Sequence, residues 1–82
     1  MFGELTDPLE REQHARAEAA LDDLVEAEGA GAAWRAWRRL EQAWEPVHPD
    51  ARRALKARAR TRLPHVDDGA RRLAVVEKLP DG

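Results

Sequence analysis

Residues 32–46, AAWRAWRRLEQAWEP, carry three tryptophans in a chain whose only other aromatic side chain is Phe2. At about 100° per residue, Ala33, Ala36, Trp37, Leu40, Ala43 and Trp44 fall on one side of a helix, and Pro46 stops it. A buried aromatic side chain removes roughly 150–250 Å² from water. Trp37, Leu40 and Trp44 are therefore expected at the packing centre. Trp34 lies off that side, near Glu41 and Glu45, and has two readings: an indole half-covered by a neighbouring helix, or an anchor for a partner.

Working outward, the residues Thr6, Asp7, Pro8 and Glu10 form a helix start. Asp7 caps, Pro8 fits the first helical position and Glu10 reaches back as a capping-box partner. From there to about Glu28, Leu9, Gln13, Ala17, Ala20, Leu21, Leu24 and Ala27 share one side. Gly29 and Gly31 are expected to break the chain before the second helix, at about 32–45; the alternative is that they merely bend one long helix, since Ala30, Ala32 and Ala33 are good helix formers. A third helix, about 50–63, begins near Pro49 or Asp50 and ends at Pro64. A fourth, about 68–79, starts from Asp67 or Asp68 and ends before Pro80. Leu73, Val75, Glu77 and Leu79 also alternate as in a strand, but no second strand is in view to pair with it. The expected fold is all-α, a small three- to four-helix bundle in one domain over 1–82.

A chain of 82 residues hides only about 60% of its unfolded surface. Its apolar content is nine Leu, five Val and one Phe beside sixteen Ala, with no Ile. Alanines bury little area, so the bundle is expected to be completed by self-association. The absence of cysteine removes disulfides and thiolate metal sites and suits a reducing compartment. There is no apolar run of about 18 residues and no basic-then-apolar leader, so a cytoplasmic location with no membrane contact is expected. Twelve Arg against two Lys, with no Ser, Asn or Tyr, suits a GC-rich bacterial or phage genome.

Charge divides along the chain. Up to Gly31 there are nine acids against Arg11 and Arg16; beyond it there are twelve bases against seven acids. Between Arg52 and Arg62 stand six bases and no acid. Arg52, Arg53, Lys56 and Arg60 cluster on one side of the third helix, while Arg58 and Arg62 flank Leu55 where the first helix can cover them. The basic helix then answers the acidic one, within a protomer or across a dimer, through solvated pairs worth about 0–1 kcal/mol each. Alternatively, it binds the phosphates of nucleic acid or an acidic protein. A net charge of −2, an acidic first helix and the lack of aromatics in the basic run weigh against nucleic acid.

Residues suited to chemistry are few. His48-Pro49-Asp50 and His65-Val66-Asp67 repeat a spacing that can ligate zinc or another divalent ion, but a helix of this length separates them by roughly 20 Å. Helix capping is the expected role of these aspartates, and no metal is expected. His14 is expected as a half-buried structural histidine. His48-Pro49-Asp50 also resembles the tripeptide of J-domain cochaperones, which lies between their second and third helices. The resemblance spans these three residues, with Arg38 and Arg39 on the preceding helix suiting it; the family's upstream tyrosine and Leu-Gly pattern have no counterpart. It implies stimulation of a heat-shock chaperone ATPase. Only Thr6 and Thr61 supply hydroxyls, and there is no Gly-rich phosphate loop. The expectation is a small non-enzymatic interaction or accessory subunit without cofactor or small-molecule substrate. It contacts a protein partner or a second copy through Trp34, Arg52, Arg53, Lys56 and Arg60, with nucleic-acid binding through 52–62 as the alternative.

Overall fold

The computed structural model describes residues 7–81. Phe2 and Thr6, including the part given to Thr6 in the first helix start, lie outside the described residues. Helix α1 spans Pro8–Glu26, with Asp7 as N-cap: its carboxylate accepts from the Leu9 amide at 2.9 Å, and Pro8 opens the first turn. Ala27 leaves α1 in an extended conformation, and Gly29 follows at φ 88° as the N-cap of α2. That left-handed angle is cheap only for glycine. The expected break is therefore present, but earlier than placed: α2 is Ala30–Trp44, so Gly31 lies inside it.

Helix α3 is Pro49–Arg62 and runs into a 3₁₀ turn at Leu63–His65, ahead of α4 at Gly69–Glu77. His48, not Asp50, caps α3: its Nδ1 accepts from the Asp50 amide at 3.1 Å. Asp68 occupies the N-cap of α4 at φ 59° and makes no capping hydrogen bond. A Cβ on Gly69 would stand 1.7 Å from the Leu63 carbonyl oxygen, so only glycine lets α4 begin against the 3₁₀ turn. The alternating residues of 71–79 are helical as far as Glu77, and no strand occurs among the described residues.

Ion pairs reveal the helix directions. Arg58 meets Glu18 and Arg62 meets Asp22; the constant offset shows that α3 runs parallel to α1. Arg60 meets Glu77 and Lys56 meets Asp81, so α4 runs back along α3. The short connection makes α2 antiparallel to α1. The result is an up-down-up-down bundle in which α1 packs on all three other helices. Leu21, Leu24, Leu40, Leu55, Leu63 and Val76 are its fully buried large side chains. Ala17, Ala20, Ala36 and Ala59 are buried among them, and such small residues let backbones approach closely.

Two expectations about the core are corrected. Trp44 is buried at 2% exposure and Leu40 completely, but Trp37 is only partly buried at the edge. Leu9 is exposed, although it lies on the apolar stripe of α1. Ala20 and Asp23 stand beside Arg39 and Ala43, a register that leaves the first turns of α1 beyond the end of α2. No helix among the described residues is long and apolar enough to cross a membrane.

Candidate functional site

Trp34 is uncovered. It is 59% exposed, and Leu9 is the only other large apolar side chain exposed among the described residues. One turn on, the Arg38 guanidinium lies 5.7 Å from the centre of the indole, within range of a cation–π contact. Arg38 also approaches Glu41, with Nε 3.8 Å from Oε1. Glu45 and Pro46 are exposed beyond it. The outer side of α2 thus presents, in order, an indole, a cation and two carboxylates on a rigid helix. Of the two readings of Trp34, its exposure over more than half of its surface favours the one in which it is open to a partner.

The basic stripe of α3 is spent inside the chain. Lys56 was expected at the surface but is 5% exposed: Nζ donates to the Glu77 carbonyl at 3.0 Å and contacts an Asp81 carboxylate oxygen at 2.6 Å. Its expected partner-contact role is corrected on that ground, because α4 lies over this side of α3. Arg52 is half-buried, donates to the Glu45 carbonyl at 2.7 Å and lies 6.0 Å from the Trp44 ring centre. Arg60 is exposed and grips Glu77 through two hydrogen bonds of 2.7 Å. Arg53 is exposed and pairs with Asp50. Arg58 and Arg62 pair with Glu18 and Asp22 of α1, as their place on the packing side suggested.

These contacts tune the carboxylates at the end of the chain. The Arg60 hydrogen bond holds Glu77 below the ordinary carboxylate range, and the same bond raises Arg60. The Lys56 hydrogen bond likewise lowers Asp81. The ladder could have been found from spacing: Lys56 and Arg60 stand four residues apart, as do Glu77 and Asp81, which is the match two antiparallel helices need. Arg72 was also missed. It is 8% exposed, and its guanidinium donates to the Leu24 carbonyl at 2.9 Å, tying α4 to α1.

His14 and His48 line one hollow. With Glu10, Gln13, Val47, Asp50 and Ala51 they line a cleft of about 500 Å³ where α1 overhangs the α2–α3 corner. His14 is half-buried, as expected, and its Nδ1 has no hydrogen-bond partner. His65 and Asp67 lie at the opposite end of α3 and are exposed. Among the described residues, no three His, Asp or Glu side chains gather as a metal ion requires. The His48-Pro49-Asp50 tripeptide starts α3, with His48 engaged as a cap and Asp50 with Arg53. Arg39, which would accompany it, is turned to Asp23 of α1 at 3.1 Å. No family model matches the chain, and no curated protein and no solved structure is significantly similar to it.

Proposed function

We propose that this chain is a small non-enzymatic interaction subunit that docks a protein partner through the outer side of α2, with Trp34 as the anchor. One observation carries the reading: an exposed indole on a rigid helix, beside a core that buries Trp44 and six large aliphatic side chains. Tryptophan and arginine are the residues whose truncation most often costs binding energy at an interface, and here Trp34 and Arg38 adjoin. The helix already fixes the backbone of both residues, which removes part of the ordering cost of binding. Of the cations expected to assist, Arg53 and Arg60 are at the surface, each already facing one carboxylate group. An acidic partner would have to displace those contacts, so they contribute less than Trp34.

The test is affinity isolation from the native host with wild type and Trp34→Ala side by side. The expected result is association, with a host protein or with a second copy of the chain, that wild type shows and the variant loses, both chains melting at nearly the same temperature. A bound protein recovered equally by the two chains, or a wild type that associates neither with a host protein nor with itself, overturns the reading. Retention of nucleic acid with a steep salt dependence overturns it in favour of phosphate binding by residues 52–62.

A further inference from the structure

The charges on α2 are ordered against its own dipole. A helix is stabilised by acids near its N-terminus and bases near its C-terminus. Here Arg35, Arg38 and Arg39 precede Glu41 and Glu45, with no acid in the first turn, no base in the last and no side-chain cap at Gly29. Part of this order is used within the chain, since Arg39 pairs with Asp23, and Arg35 shares a surface hollow with Asp23 and Glu26. Arg38, Glu41 and Glu45 have no such use. They point away from α1, and Arg38 has only the loose contact to Glu41 of its own helix. The helix register makes Trp34, Arg38, Glu41 and Glu45 a single stripe, at successive steps of four, three and four residues. That is the spacing by which one helix lies along another.

Resting on the reading of Trp34 as a docking residue, we infer that the partner is a second copy of this chain, with two α2 helices packed antiparallel across a two-fold axis. An axis passing between Arg38 and Glu41 brings Arg38 of each copy against Glu41 of the other. The same operation lays each Trp34 on the exposed Glu45–Pro46 corner opposite. Basic half meets acidic half twice, and the two helix dipoles oppose one another. The stripe is self-complementary, as a two-fold contact must be, whereas a partner of uniform charge would meet repulsion at one end. A contact confined to one side of one helix falls below the roughly 1,200–2,000 Å² of a standard stable interface. The dimer is therefore reversible and weakened by salt, which screens its exposed ion pairs.

Sedimentation equilibrium on the full chain tests this, over roughly 10 μM to 1 mM, the range in which an interface below standard size associates. Wild type should show a monomer–dimer equilibrium, and Trp34→Ala should weaken it about tenfold or more. Arg38→Glu and Glu41→Arg should each abolish association alone, because like charges then face one another. Mixed in equal amounts, those two variants should associate with each other, since both cross-copy pairs are restored in the mixed dimer. Circular dichroism melts of every variant establish that each is folded. A wild type that stays monomeric throughout overturns the dimer, as does a mixture that associates no better than its components. If wild type is monomeric but loses a different protein on Trp34→Ala, the dimer fails while the interaction reading stands. Dimerisation that Trp34→Ala leaves unchanged overturns the assignment to this side of α2.

Discussion

Trp44 and Trp34 differ in what surrounds an identical side chain. Trp44 is 2% exposed, and its Nε1 donates to the Pro80 carbonyl at 2.6 Å, so it clamps the end of the chain onto the end of α2. Its removal leaves a cavity and an unpaired carbonyl together. Trp44→Ala is expected to cost about 3–5 kcal/mol, a large part of the total stability of so small a domain. Trp34→Ala loses a solvated ring and one cation–π contact, and should cost under about 1 kcal/mol. Urea denaturation of the two variants checks this; similar losses at both positions would contradict the division of roles. The sequence distinguished these indoles by their angular position alone. It misplaced Trp37, because a residue at the margin of a helical stripe is covered or not according to how the neighbouring helix is inclined.

Helix α4 and the segment after it are held to α3 by the ladder of Arg60 with Glu77 and Lys56 with Asp81. Both carboxylates are held below their unfolded values by these cations. Their contribution is therefore complete above the unfolded carboxylate pKa of about 4 and is lost as the pH falls through the lower folded values. The melting temperature should stay level from neutral pH to about 5 and then fall. Glu77→Gln should start lower at neutral pH and show a shallower acid decline; an unchanged acid slope would remove the ladder from the explanation. The helices themselves were legible, since Pro8, Pro49 and Gly29 punctuate the chain and the apolar stripes repeat at helical spacing. The covering of α3 on a second side was signalled only by the matched four-residue spacing of Lys56 with Arg60 and of Glu77 with Asp81. Arg58 and Arg62 flank Leu55 and so read as facing α1, where they pair with Glu18 and Asp22; Lys56 reads as exposed but is buried. Its burial depends on α4 folding back, a tertiary event that the composition of α3 does not encode.

The whole molecule is a bundle whose bases are answered largely from within. The acidic first helix and the basic third helix meet along a parallel pair, and the chain end neutralises much of the remainder. Trp34, Arg38, Glu41 and Glu45 stand outside that internal pairing. On the proposed reading this stripe of α2 meets a partner, while the rest of the molecule holds the fold together. The most direct test of that division is ¹⁹F NMR of the chain labelled with 5-fluorotryptophan, the three resonances assigned by single substitution to phenylalanine. The Trp34 resonance should show the full shift between light and heavy water when dilute, and lose it as concentration rises, while the Trp44 resonance stays insensitive to both. A solvent-insensitive Trp34 in dilute solution, or a solvent-sensitive Trp44, would contradict it.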